Sequence, residues 1–167
     1  MATTDGSGDG QRLHRNTEAV ARILAEVAPG ATVHQLEAST RTAAEAAAAL
    51  GCEVGAIASS LVFVAGGEPV LIMTSGAHRV DLDLVARSTG LAPLRRATPD
   101  EVRAATGQPI GGVAPVGHPS PLRTLVDTEL SKYATIWAAA GTPHAVFSTT
   151  YDELLAMTGG SATDVAK

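Results

Sequence analysis

Apolar residues at the start of the chain recur at helical spacing. Leu13, Val20, Ile23, Leu24 and Val27 share one face of a segment over residues 11–27, which Pro29-Gly30 closes. Residues 31–36 alternate as a short strand. Residues 41–50 are almost all alanine and glutamate and predict a helix that Gly51 stops. Two apolar, β-branched runs, 57–64 and 70–73, flank Ala65-Gly66-Gly67-Glu68-Pro69 and predict a hairpin. A helix over 81–88 ends at Gly90. Thr98-Pro99-Asp100-Glu101 puts threonine at the N-cap, proline at N1 and glutamate at N3, so another helix runs from 99 to about 105. Strands follow at 123–126, 135–139 and 145–148, with a helical turn at 128–132. A second capping box, Thr150 to Glu153, opens a helix to Met157, and the tail after Gly159-Gly160 reads as short and helical. Strands and helices mix without a strict βαβ rhythm, which favours α+β with a mixed sheet.

Length and composition narrow this picture. A chain of 167 residues defaults to one domain, here residues 11–167, and buries roughly 68–70% of its unfolded surface. With 45% apolar but only 3% aromatic residues, its core is built from Ala, Val, Leu and Ile. Residues 1–10 are rich in Gly, Ser, Asp and Thr, and predict a disordered lead-in rather than a signal peptide. The single cysteine, Cys52, excludes an internal disulfide and fits a reducing compartment. No apolar run approaches the roughly 18 residues of a membrane span. The expectation is a soluble, cytoplasmic protein with no membrane partner.

A net charge of −5 argues against extensive binding to nucleic acid. Yet ten of the twelve basic residues are arginine, and Arg87, Arg95, Arg96 and Arg103 lie close together. They read either as a solvated mixed-charge face or as a small phosphate contact.

Familiar chemistry is missing. The histidines never pair at i, i+4, and there is no G-x-S-x-G elbow, no Walker A run and no G-x-G-x-x-G after a strand, so no metal or nucleotide cofactor is indicated. Residues 106–119, TGQPIGGVAPVGHP, hold four glycines and three prolines. Such a loop has a defined shape and is either a tight crossover or a binding site. The Gly111-Gly112 pair can present N–H groups to an oxyanion, with Pro115 holding the shape. His118 can act as acid or base, or simply be solvated. Asp127 can orient a ligand, or cap the helical turn that follows. Ser59 and Ser60 supply hydroxyls at the start of the hairpin.

These pieces, in order, carry a resemblance. Ile57-Ala58-Ser59-Ser60-Leu61-Val62-Phe63, His78-Arg79-Val80-Asp81-Leu82, the run from Thr106 to His118, Val126-Asp127, Ala139-Ala140-Gly141, Asp152-Glu153-Leu154-Leu155 and Asp164-Val165-Ala166 together resemble the YbaK/prolyl-tRNA-synthetase-associated domain family over residues 30–166. The resemblance implies a compact α+β domain with a mixed, barrel-like sheet and surrounding helices. It implies a free-standing aminoacyl-tRNA deacylase that hydrolyses the ester of a mischarged tRNA carrying a small amino acid. The acceptor end of that tRNA would be its partner, with prolyl-tRNA synthetase as another. The family's G-x-x-x-P loop falls on Gly111 to Pro115, so Gly111, Gly112 and Pro115 become catalytic candidates. Ser59, Ser60, Arg79, His118, Asp127 and Gly141 become substrate-binding ones. Many members carry a lysine where this chain has Ser59. The alternative is therefore a non-catalytic module that binds aminoacyl-tRNA or a small aminoacyl ligand.

Overall fold

Local chemistry sets the boundaries of most elements in the computed structural model, which describes residues 13–37 and 39–167. The expected lead-in lies outside the described residues. Helix α1 (Arg15–Val27) begins at His14, whose ring accepts the Asn16 N–H. Strand β1 (Val33–Gln35) leads to α2 (Ala43–Leu50), capped by Thr42 and Glu45 in a reciprocal box that delays its start to residue 43. Strands β2 (Ile57–Ala65) and β3 (Glu68–Ser75) form the hairpin, whose turn shrinks to Gly66-Gly67. Pro69 is tolerated inside β3 because its ladder to the next strand starts only at Val70.

Helix α3 (Leu82–Thr89) is capped by Asp81, which accepts the Leu84 N–H at 3.0 Å. The short strand β4 (Leu94–Arg96) precedes α4 (Pro99–Thr106), whose box of Thr98 and Glu101 forms as expected. Strand β5 (Arg123–Asp127) runs into a 3-10 helix at Thr128–Lys132, followed by β6 (Ile136–Ala139) and β7 (Ala145–Thr149). Helix α5 (Tyr151–Thr158) has the last capping box. The tail is then strand β8 (Ser161–Thr163), not a helix, because it pairs in parallel with the free edge of β5.

The eight strands of the described residues form one mixed sheet of order β1-β7-β6-β2-β3-β5-β8, with β4 attached to β2. The chain is thus an α+β domain, as expected. Both faces of β3 are buried, and alternation sorts its side chains. Leu71 and Met73 join the large core with Val20, Leu24, Phe147 and Leu154, under α1 and α5. Val70 and Ile72 join a second core with Phe63, Val85 and Leu125, under α3. No helix among the described residues is long and apolar enough to cross a membrane.

One edge of β2 is shared by two strands. β6 pairs in parallel with Ile57 and Ala58, while β4 pairs antiparallel with Phe63, Val64 and Ala65. Ala97 adds a bond to the Val62 carbonyl at 3.1 Å. Between these two partners the edge of β2 is open.

Candidate functional site

A cavity of about 530 Å³ fills that opening. Its floor is Ser59 to Val62 of β2, with Thr74 and Ser75 at the end of β3. The first turn of α2 and Ile110, Gly111 and Val113 of the Gly/Pro loop make opposite walls, and Trp137 to Ala139 of β6 close one end. Arg41, Arg79 and Arg96 stand exposed at its rim.

The Gly/Pro loop is held by a side chain that sequence reasoning missed. Gln108 is 3% exposed, and its Oε1 accepts the Ala114 N–H at 2.6 Å while its Nε2 donates to the Val116 carbonyl at 3.3 Å. The Thr106 hydroxyl donates to Val102 and accepts the Gln108 N–H, joining the loop to the end of α4. Buried polar groups so satisfied give the loop one shape. Inside it the Gly112 N–H bonds the Pro109 carbonyl at 2.9 Å. That donor is spent in the loop, which corrects the expectation that both glycines aim N–H groups at substrate. Gly111 lines the cavity, whereas Gly112 and Pro115 are buried behind its wall.

The remaining candidates divide. Ser59, Ser60 and Arg79 line the cavity, whereas His118, Asp127 and Gly141 do not. Gly141 instead packs on α1, where its carbonyl accepts from Asn16 Nδ2 at 3.2 Å. Of the clustered arginines, only Arg96 reaches the cavity. Arg95 is held by Glu101 through two bonds of 2.9 Å, which keep the Glu101 carboxyl at about 2.

His118 faces inward and donates from Nε2 to the Ala114 carbonyl at 2.8 Å. Burial holds its imidazole below the ordinary value, partly offset by that bond, so a role as a solvated acid or base at the site does not fit. The unfolded chain takes up this proton near pH 6.5, the folded one only at lower pH. His118 therefore removes stability as pH falls below about 6.5 and has no such effect above it. In His118→Gln the urea midpoint should fall less between pH 7 and 5.5 than in the parent. Equal slopes would overturn this.

Asp127 is wholly buried, and both carboxylate oxygens serve the fold. Oδ1 accepts the Glu129 N–H at 2.9 Å as N-cap of the 3-10 helix, and Oδ2 accepts the Ser75 N–H at 3.0 Å. Oδ2 also accepts from His78 Nδ1 at 2.9 Å, since a carboxylate has no proton to give. Asp127 thus holds two lining residues, Ser75 and His78, without lining the cavity itself, and His78 is one that the search for i, i+4 histidine pairs could not find. Glu129 Oε1 stands 3.6 Å from the other ring nitrogen and is bonded by Lys132.

Comparison with known proteins agrees with this architecture. The model of the aminoacyl-tRNA editing domain matches residues 37–157. A proline–tRNA ligase of Nitratidesulfovibrio vulgaris (strain DP4) is 37% identical over 115 residues, 68% of this chain and 18% of the ligase. The chain therefore spans under a fifth of the length of that relative. The uncharacterized protein YwhH of Bacillus subtilis (strain 168) is 32% identical over 73% of this chain and 78% of its own. A solved structure of a candidate trans-editing enzyme for prolyl-tRNA synthetase has a TM-score of 0.86 at 46% identity, covering 93% of this chain and 99% of that one. Fold, loop and extent of the match agree, and the chain belongs to the aminoacyl-tRNA editing domain family.

Proposed function

We propose that this protein is a trans-acting deacylase that hydrolyses the ester between a small amino acid and the terminal adenosine of a mischarged tRNA. The observation that carries the reading is the cavity itself. Its volume of about 530 Å³ suits an aminoacyl-adenosine, and it opens between a main-chain edge and the Gly111–Pro115 loop. Arg41, Arg79 and Arg96 at the rim supply charge for acceptor-end phosphates. The resemblance to a trans-editing enzyme for prolyl-tRNA synthetase makes that synthetase a further candidate partner. The reaction adds water to the ester carbonyl, breaks the bond from that carbon to the ribose oxygen and returns a proton to this oxygen. Small amino acids differ by about 1–3 kcal/mol per methylene in a first binding site, so a second, hydrolytic sieve is chemically useful.

A second reading rests on Ser59. Ser59 lines the cavity at the position where the resemblance puts a lysine, and a serine there supplies no positive charge, which favours a module that binds aminoacyl-tRNA without cleaving it. Incubation with tRNAs mischarged with Ala, Ser, Thr and Cys separates the two. Release of free amino acid well above spontaneous hydrolysis is the expected result. Binding without release would replace the first reading by the second.

A further inference from the structure

The alternation of the β2–β3 ladder shows where each main-chain group of β2 points. Gly76 donates to the Ile57 carbonyl, and a two-residue turn joins Ala65 to Glu68, so residues 57, 59, 61, 63 and 65 bond to β3. Residues 58, 60, 62 and 64 aim their N–H and C=O groups at the opposite edge. There Ala58 meets β6, Val64 meets β4, and the Val62 carbonyl takes the Ala97 N–H. Ser60 falls in the gap. Its N–H and C=O have no partner strand among the described residues, and Ser60 lines the cavity.

Thr74 belongs to the same floor. Thr74 is 2% exposed, its hydroxyl has no hydrogen-bond partner among the described residues, and it stands opposite Ser59 in the ladder. An unpaired buried hydroxyl is costly and uncommon.

We infer that Ser60 reads the aminoacyl group of the substrate as though it were one residue of an added antiparallel strand. This rests on the editing reading and deepens it. An aminoacyl ester carries an ammonium and a carbonyl on either side of one Cα, the same spacing of donor and acceptor as a peptide residue. In a hydrogen-bonded antiparallel pair two residues exchange both bonds. The α-ammonium then donates to the Ser60 carbonyl, and the Ser60 N–H donates to the ester carbonyl oxygen. When water adds to the carbonyl carbon, negative charge collects on that oxygen and the Ser60 bond strengthens. As the bond to the ribose oxygen breaks, the electron pair on that oxygen re-forms the C=O bond, and the ribose oxygen leaves with its bonding pair and takes up a proton. This supplies the donor that Gly112, with its N–H spent, does not. The recognition is made by the main chain, so it survives a serine at position 59.

The test compares substrates and main-chain variants. Whichever aminoacyl-tRNA the panel shows to be cleaved fastest is set beside its α-hydroxyacyl counterpart, each rate normalised to spontaneous hydrolysis. The hydroxyacyl ester should lose about 10- to 100-fold in kcat/KM, because a charge-assisted bond is lost. Replacing the Ser60 amide N–H by an ester oxygen should lower kcat about 100-fold, with only a small loss of melting temperature from the weakened Ser59 carbonyl. The same replacement at Phe63, which does not line the cavity and whose N–H belongs to the β3 ladder, should lower the melting temperature and spare kcat. Equal cleavage of both substrates, or equal kinetic losses at Ser60 and Phe63, would overturn the inference. If the parent cleaves none of the panel, the editing reading falls. Binding of 3′-aminoacylamino-3′-deoxyadenosine then decides separately. Affinity weakened by the Ser60 replacement keeps the inference, and unchanged affinity rejects it.

Discussion

Asp127→Ala is expected to lower the melting temperature by roughly 6–20 °C, at about 2–4 °C per kcal/mol for a domain of this size. The carboxylate is wholly buried and receives the Ser75 N–H, the Glu129 N–H and His78 Nδ1. Alanine leaves two main-chain donors without acceptors and unpairs the ring. Breaking a buried pair in this way costs about 3–5 kcal/mol. Asp127→Asn should cost less, since its amide oxygen retains one acceptor while its NH2 group opposes another donor. His78→Ala should cost far less still, because the ring is 23% exposed and only one of the three bonds is lost. Thermal melts of the three variants check the order. A melting temperature for Asp127→Ala within 2 °C of the parent would show that the carboxylate is not the structural anchor described above.

What could be read in advance was local. The boxes at Thr98–Glu101 and Thr150–Glu153 are satisfied within four residues, so their helices begin where the sequence predicts. The hairpin was legible because its apolar runs and its Gly-Gly turn agree. Strands β4 and β8, three residues each, were not. Neither has a periodicity of its own, and each exists because a longer strand offers it an edge, β2 to Leu94–Arg96 and β5 to Ser161–Thr163.

The site follows the same division. Its Gly/Pro loop stands out in composition, and Ser59, Ser60, Arg79 and Gly111 do line the cavity. The contacts that decide its chemistry span longer distances. His78 and Asp127 lie 49 residues apart, and the opening in front of Ser60 exists only because β4 and β6 stop short of each other along β2. Asp127 admitted two readings in the sequence, and the buried geometry selects the N-cap. Gln108 lay inside the loop but carried no visible signal, since its partners are main-chain groups six and eight residues on.

Gly112→Ala is expected to reduce editing by about 100-fold or more and to cost about 1–3 kcal/mol of stability. A Cβ at this position would lie 2.5 Å from the Thr142 carbonyl carbon, 2.6 Å from Thr142 Cα and 2.8 Å from Pro143 N. All three are main-chain atoms, so no side-chain rotation relieves the clash. The turn they belong to is itself tied down. The Pro143 carbonyl accepts the Thr40 N–H at 2.6 Å and the Thr40 hydroxyl at 2.7 Å, and Thr40 lines the cavity. Either the wall formed by Gly111 and Val113 moves, or the displacement passes through Pro143 to Thr40 and Arg41 on the other side. Both routes change the cavity, and a shift near 1 Å is enough to cost 10²-fold. Gly111→Ala provides the contrast. Its positive φ of +87° carries a strain of about 1–2 kcal/mol, but the atom it meets first, at 2.9 Å, is Cγ of the exposed Arg41, which can swing aside. Gly111→Ala should therefore lose stability with a smaller kinetic loss than Gly112→Ala. Measuring kcat/KM on the best substrate of the mischarged panel beside thermal melts checks both. A Gly112→Ala protein with parental kcat/KM would remove the loop from the site.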